Sequence, residues 1–243
     1  MEWRDEGVLL SVRRHGESAA IIEVFTRNHG RHAGLVRGGA SRRWAPVLQP
    51  GAGLAVAWAA RLEGHLGTYK VEPMASRAHL LADRAALAGL SSLTAMAAAF
   101  LPEREALPEV FEATEALLER FEDTDWPAYY VLWEVQLLGS LGYGLALDRC
   151  AVGGGRKDLS HVSPRTGAAV SRHAGAAWAD RLLVLPPFLR PEATEAQITE
   201  RDVEAGLDLT SHFLRRWLCP AIGRDGLPAA RERLPRAILG ARG

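Results

Sequence analysis

The first third of the chain contains five short runs of apolar and β-branched residues, with glycines at the turns between them. These runs are Gly7–Arg14, Ala19–Thr26, His32–Arg37, Leu54–Trp58 and Leu66–Val71. Five short strands with turn residues between them predict a small barrel or sandwich that ends near residue 73. A five-stranded barrel with arginines on its loops is a common way to hold a nucleic-acid strand.

The remainder of the chain has the spacing of apolar residues that is typical of helices. Prolines and capping residues mark the helix ends. The five predicted helices cover about residues 80–101, 108–121, 125–141, 174–185 and 199–218. The predicted fold class is therefore α+β, with an N-terminal five-stranded β-barrel followed by an all-α helical domain.

The predicted organisation is a barrel over residues 1–75 and a helical domain over residues 76–223, with a loop-like insert near residues 148–174. A basic tail over residues 224–243 is expected to be poorly ordered. The uncharged run Ala85–Leu101 is short for a membrane span and predicts a buried helix. Two cysteines give no disulfide framework, and the charged N-terminus does not resemble a signal peptide. We therefore expect a cytoplasmic protein that does not bind membranes.

Charge is distributed unevenly, although the net charge of the whole chain is zero. Residues 1–80 contain 11 basic and 7 acidic side chains, whereas residues 81–150 contain 4 basic and 12 acidic ones. Such asymmetry indicates a polyanionic partner for the basic parts. The alternative is that the acidic middle pairs with the basic ends. A GC-rich genome also encodes many arginines, so the placement of the arginines is more informative about function than their number.

Seven arginines lie between residues 13 and 43, and within this segment only Glu17 and Glu23 oppose them. They are Arg13, Arg14, Arg27, Arg31, Arg37, Arg42 and Arg43. Such a cluster predicts phosphate binding with a strong dependence on salt. Nearby aromatic residues offer stacking surfaces for bases, and Trp44 lies within the basic loop. The alternative places Phe25 and Trp58 in the barrel core and treats the arginines as a solvated rim. For the arginines we favour binding, and for any single aromatic residue we favour the core.

Motifs for metal binding and catalysis are absent from the sequence. His29 and His32 lack further ligands for zinc, so they are interpreted as two exposed imidazoles beside a turn at Gly30. There is no G-x-S-x-G or H-E-x-x-H motif, and the glycines at 153–155 lack the spacing of a phosphate loop. The sequence predicts neither an enzyme nor a bound cofactor.

Several runs of the sequence resemble the RecO family of bacterial DNA repair proteins, especially its alphaproteobacterial members. The N-terminal matches are Asp5–Ser18, His29–Arg43 and Leu48–Gly51, and the helical region matches at Leu138–Tyr143 and Leu183–Leu189. The resemblance implies an N-terminal OB-fold and an α-helical C-terminal domain. It also implies a recombination mediator rather than a metabolic enzyme.

Partners and contact residues follow from the same resemblance. It implies binding of single- and double-stranded DNA, strand annealing, and loading of RecA with RecR, often with RecF, onto DNA covered by single-stranded-DNA-binding protein. It further implies contact with the acidic C-terminal tail of that binding protein, for which Arg201, Arg215 and Arg216 are candidates. The competing hypotheses are an OB-fold RNA-binding factor and an enzyme with an unrecognised site in the helical domain.

A departure from the family concerns metal binding. Many members of the family carry a four-cysteine zinc site built from two C-x-x-C pairs. Here Cys150 falls at the first ligand position and Gly153 at the second, while the other pair falls near Ser171 and Ala174. Because one thiolate cannot hold a structural zinc ion, we predict no zinc and an insert held by packing.

Overall fold

A computed structural model of the chain describes residues 1–62, 64–191 and 197–240. The strands are β1 (Glu2–His15), β2 (Ala19–Thr26), β3 (Gly30–Val36), β4 (Gly53–Ala59), β5 (Gly67–Ala75), β6 (Leu159–Val162), β7 (Ala169–Ser171) and β8 (Leu183–Val184). The α-helices are α1 (Arg84–Phe100), α2 (Pro108–Arg120), α3 (Trp126–Ser140), α4 (Arg172–Gly175), α5 (Glu200–Phe213), α6 (Cys219–Ala221) and α7 (Ala229–Leu239).

The five N-terminal strands close into a barrel with the order β1-β2-β3-β5-β4. The neighbouring strands are antiparallel except β3 and β5, which pair in parallel. The long strand β1 closes the barrel, because its first half pairs with β4 and its second half pairs with β2. A five-stranded barrel of this order is an OB-fold, so the predicted barrel and the α+β class are confirmed.

The barrel core follows from the alternation of side chains along each strand. On β4, for example, Leu54, Val56 and Trp58 are at most 3% exposed, whereas the alanines between them face outwards. Phe25 is also fully buried, and its ring packs edge-to-face on Phe111 with the centroids 5.4 Å apart. The interpretation of Trp58 as a barrel-core residue is therefore confirmed, whereas Phe25 is buried on the outer face of β2 against α2 and is not part of the barrel core.

The turn between β2 and β3 is held by a buried carboxylate. Asp5 accepts hydrogen bonds from the backbone N–H of Asn28 at 2.8 Å and from its side-chain amide at 2.9 Å, and it contacts Nδ1 of His29 at 2.8 Å. Burial raises the pKa of Asp5, but these hydrogen bonds outweigh burial and leave the pKa below its ordinary value. The turn is thus tied to the first residues of β1.

His32 lies inside the barrel rather than on its surface, so its interpretation as an exposed imidazole is wrong. Its side chain packs edge-on against the rings of Trp3 and Trp58, with centroid distances of 4.9 and 5.3 Å. Among the residues that the structure describes, its Nδ1 atom has no hydrogen-bond partner. Burial, together with the positive charges of Arg104 and His29, lowers the pKa of His32 to about 4. The alternation of side chains along β3 points His32 into the barrel. The prediction of an exposed side chain considered only that histidine is polar, and not its position in the strand.

Acidification from pH 6.5 to pH 4 is therefore expected to lower the free energy of unfolding by about 2–3 kcal/mol through His32 alone. The pKa of His32 is about 4 in the fold and 6.5 as a free group. The contribution of neutral His32 to stability is complete above pH 6.5. It is lost as the pH falls from 6.5 towards 4, because in this range the unfolded chain binds a proton at His32 and the folded chain does not. Urea unfolding of the wild type and of His32→Asn at both pH values tests this. An identical pH dependence in the variant would contradict it.

The helices begin largely where the sequence predicts. Asp83 caps α1 by accepting hydrogen bonds from the N–H groups of Ala85 and Ala86 at 2.7 and 2.9 Å. Thr199 and Asp202 form a reciprocal capping box at the start of α5. Asp125 occupies the N-cap position of α3, but its side chain makes no capping hydrogen bond. Within the described ranges, no helix is both long enough and apolar enough to cross a membrane.

Two predictions for the helical region are wrong in part. The insert at 148–174 is not only loop, because β6 and β7 form an antiparallel pair within it. The helix predicted over residues 174–185 is replaced by the short helix α4, a 3-10 turn over Ala176–Arg181 and the strand β8. The apolar run at Leu183–Val184 pairs with β6, and two prolines follow it. Strand pairing therefore overrides the helical spacing of this segment.

The C-terminal segment is also more regular than predicted. Residues 229–239 of the expected poorly ordered tail form α7, in which Arg231 and Leu234 are at most 1% exposed. The α5 helix continues through a π-helical turn at Leu214–Leu218 into α6. Pro220 lies in α6, and its missing N–H and its ring disturb the preceding turn.

Contacts divide the described chain into two units. Met1–Glu122 and Pro228–Leu234 form the first unit, and Asp123–Leu227 forms most of the second. The boundaries at residues 75 and 223 follow the change from strands to helices and stay a prediction.

Candidate nucleic-acid interface

The seven arginines of residues 13–43 separate into two groups. Arg14 pairs across the sheet with Ala20, and Ala20 pairs with Val36, so the end of β1, the start of β2 and the end of β3 lie in one row. Arg27 lies in the turn that begins after Thr26, six residues further along β2, and Arg31 lies at the start of β3, where it pairs with Phe25. At about 3.3 Å per residue, the two groups are about 20 Å apart.

The first group forms a patch that we call the basic rim. It consists of Arg13, Arg14, Arg37, Arg42 and Arg43, all of which are exposed. The loop that follows β3 lies against the β1–β2 turn, because the N–H of Ala40 donates to the carbonyl of Ser18 at 2.9 Å. Of the residues that the structure describes, none forms an ion pair with a basic-rim arginine. The rim therefore concentrates positive charge at one end of the barrel, where Glu17 of the β1–β2 turn is an acidic neighbour.

Trp44 anchors the loop that carries the basic rim. Its side chain is half-buried and packs against the barrel core, as does that of Val47. The backbone N–H of Trp44 donates to the carbonyl of Ser41 at 3.0 Å, and the backbone carbonyl of Trp44 accepts from the N–H of Leu48 at 2.8 Å. Only part of the indole is therefore available for stacking on a base.

The second group of arginines is engaged within the first unit. The guanidinium of Arg27 lies 4.8 Å above the ring of Phe111 and pairs with Glu112 at 3.2 Å. Arg31 has a side chain that is 14% exposed, and it donates to the carbonyl of Leu101 at 2.9 Å and to Glu23 at 2.7 Å. These side chains connect the β2–β3 turn to the helices that follow the barrel.

The three arginines predicted for partner binding do not lie together. Arg201 is in the first turn of α5, between the acidic residues Glu200 and Asp202. Arg215 and Arg216 are exposed in the π-helical turn after α5. At 1.5 Å per residue, this turn is about 20 Å along the helix from Arg201.

A concave surface on the barrel has no counterpart in the sequence analysis. It encloses about 650 Å³ above the small outward residues Ala55 and Ala57 of β4. Its charged lining residues are Arg4, Asp5, Glu6, Arg27, Lys70 and Glu72. Because the charges are mixed, this surface suits a polyanion less well than the basic rim does. The alternation of alanines with large apolar residues on β4 was the only sequence signal for it.

The surroundings of Cys150 do not fit a zinc ion. Its Sγ accepts hydrogen bonds from the N–H groups of Ser171 at 3.2 Å and Val152 at 3.4 Å. Burial raises the pKa of the Cys150 thiol, but these hydrogen bonds outweigh burial and leave the pKa below its ordinary value. In the part of the chain that the structure describes, no three His, Cys, Asp or Glu side chains are grouped to hold a metal. A structural zinc site requires four such ligands.

These observations define a class of protein in which an OB barrel with one basic end precedes a mainly helical region. The family model described as Recombination protein O N terminal matches residues 1–77, and the model described as Recombination protein O C terminal matches residues 81–221. The chain belongs to the RecO family of DNA repair and recombination proteins.

Relatives over almost the full length support this assignment. The DNA repair protein RecO of Cereibacter sphaeroides is 54% identical over 234 residues, which are 96% of this chain and 97% of the relative. The RecO protein of Ruegeria sp. strain TM1040 is 52% identical over 240 residues, 98% of each chain. That of Dinoroseobacter shibae is 50% identical over an alignment of 244 positions, which covers 100% of each chain. As a RecO protein, the chain is a recombination mediator and not an enzyme.

Proposed function

We propose that the protein binds single- and double-stranded DNA through the basic rim and anneals complementary strands. The observation that carries this proposal is the set of five exposed arginines at one end of the barrel, none of which forms an ion pair with a residue in the described ranges. Guanidinium groups bind phosphates through two parallel hydrogen bonds, and each contact releases counterions from the DNA. Binding of this kind does not depend on sequence, as annealing of arbitrary strands requires.

The rim acts by holding one strand through its phosphates. Neutralised phosphates repel a second strand less, so a complementary strand can approach the bases of the first. Arg27 and Arg31 are left out of the proposed contacts, because ion pairs and hydrogen bonds within the fold occupy them. Trp44 contributes mainly by anchoring the loop, and its exposed edge is available to one base.

We further propose that the protein works in the cytoplasm with RecR, and with RecF where it is present, to load RecA onto DNA covered by single-stranded-DNA-binding protein. For the acidic tail of that protein, Arg215 and Arg216 remain candidate contacts. Arg201 is less suitable, because Glu200 and Asp202 flank it and repel an acidic peptide. Binding of a fluorescent tail peptide to Arg215→Ala/Arg216→Ala and to Arg201→Ala tests this choice, and equal losses in both variants would contradict it.

The decisive experiment is binding of fluorescent single-stranded oligonucleotides of unrelated sequence across a salt series, followed by an annealing assay. Similar affinities for all sequences, with a steep loss as salt rises, are expected. Absence of binding at low salt would overturn the proposal. Tighter binding to structured RNA than to single-stranded DNA would favour the alternative of an OB-fold RNA-binding factor.

A further inference from the structure

Two turns of the second unit meet at Cys150 and Ser171. The N–H of Val152 donates to Cys150 Sγ at 3.4 Å, so the first turn folds around its own thiol. The N–H of Ala174 donates to Ser171 Oγ at 3.4 Å, so the second turn folds around its own hydroxyl. The first turn therefore has a side-chain acceptor at Cys150 and none three residues later, at Gly153. The second turn likewise has an acceptor at Ser171 and none three residues later, at Ala174.

The two acceptors are spaced like two ligands of one tetrahedral metal ion. The Cys150 Sγ and Ser171 Oγ atoms are 3.6 Å apart. In a zinc–thiolate tetrahedron with bonds of about 2.3 Å, neighbouring sulfur atoms are about 3.8 Å apart. The close approach is maintained here by the hydroxyl of Ser171 and by its N–H, which donates to Cys150 Sγ at 3.2 Å.

The backbone around this pair is held independently of any metal. The N–H of Cys150 donates to the carbonyl of Gly155 at 2.7 Å, and the N–H of Ala151 donates to the carbonyl of Ala169 at 2.8 Å. Cys150 itself is 3% exposed. Three of the four positions, namely Gly153, Ser171 and Ala174, offer no thiolate, and metal binding requires deprotonated ligands.

We propose that the hydrogen-bonded pair of Cys150 and Ser171 is a metal-free staple that takes the structural place of a zinc ion between these two turns. The staple joins the start of the insert to the end of β7, so both partners are needed for its effect. The same geometry has a second consequence. Cysteines introduced at positions 153, 171 and 174 complete a four-thiolate zinc site with Cys150. An added Cβ at Gly153 meets no heavy atom of the described residues within 4 Å, so a side chain has room there, although the φ of +81° at this position adds a strain of about 1 kcal/mol.

A double-mutant cycle tests the staple in the native chain. Cys150→Ala and Ser171→Ala are each expected to lower Tm by about 2–6 °C, because each removes the contact between Cys150 Sγ and Ser171 Oγ. The double variant is expected to lose clearly less than the sum, since either change alone removes the same contact between Sγ and Oγ. Cys219→Ala is the matched control, because it also removes a buried thiol, and its effect should add to that of Ser171→Ala. Additive losses for Cys150 and Ser171 would overturn the proposal.

Metal measurements test the other half of the proposal. The purified wild type is expected to contain no stoichiometric zinc, and EDTA should leave its Tm unchanged. The variant Gly153→Cys/Ser171→Cys/Ala174→Cys should bind one equivalent of Co²⁺ with the absorption of a tetrahedral thiolate complex, and its Tm should rise with Zn²⁺. The same variant carrying Cys150→Ala should bind far more weakly. Zinc in the wild type, or a folded triple variant that binds no Co²⁺, would overturn the inference.

Discussion

Replacing Arg37, Arg42 and Arg43 with alanine lowers the affinity for single-stranded DNA by an expected factor on the order of 10 to 100 at low salt. All three side chains are exposed on the loop that Trp44 anchors. Each phosphate contact on a single strand contributes about 0.7 to the slope of log affinity against log salt, so the slope should fall by about 2. The loss should be the same for unrelated sequences, because contacts to phosphate carry no sequence information.

A variant with the same change in charge provides the control. Arg201→Ala/Arg215→Ala/Arg216→Ala also removes three exposed arginines, but in the second unit. This control variant should retain the wild-type affinity and salt slope. The measurement is fluorescence anisotropy across a salt series for both triple variants. An unchanged slope in the loop variant, or equal losses in the two variants, would show that the basic rim does not contact DNA.

Gly30→Ala is expected to lower the free energy of unfolding by about 3 kcal/mol or more. Gly30 has a φ of +69°, a conformation in which a residue with a Cβ is strained. An added Cβ would also overlap the backbone of Glu105, which cannot move away as a flexible side chain can. Both effects act together at the start of β3, next to the turn that Asp5 holds. Denaturant unfolding followed by circular dichroism measures the loss.

Gly38→Ala separates the two causes. Gly38 has a φ of +71°, almost the same as Gly30, but no heavy atom lies within 4 Å of an added Cβ. Only the conformational strain remains, so a loss of about 1 kcal/mol is expected. If the two substitutions were equally destabilising, the overlap with Glu105 would not contribute, and the packing of this turn would differ from the one described.

The barrel was predictable because strand alternation and turn glycines are local signals. The inward positions of β2 and β4, such as Ile22 and Trp58, follow from a period of two along the chain. The β6–β7 pair was missed because its strands are only four and three residues long. The α7 helix was missed because it is short and contains Pro235, so its composition resembles that of a loop.

The candidate site was predictable in composition but not in arrangement. That Arg27 pairs with Glu112, 85 residues later, and Arg31 with the carbonyl of Leu101, 70 residues later, depends on tertiary contacts that no local pattern reveals. The division of the arginines into two groups follows from strand register, which pairs Arg14 with Ala20 and Thr26 with Gly30. Charge counts along the sequence could not distinguish exposed arginines from those that stabilise the fold.

The burial of part of Trp44 in the barrel core has a thermodynamic consequence for ligand binding. A loop that is unconstrained before binding loses conformational entropy when a ligand orders it, and that loss subtracts from the affinity. Because Trp44 already fixes the chain between Ser41 and Leu48, much of this ordering has taken place during folding. Arg42 and Arg43 are thus preorganised, and Trp44→Ala should weaken DNA binding through a less favourable entropy of association although it removes no charge.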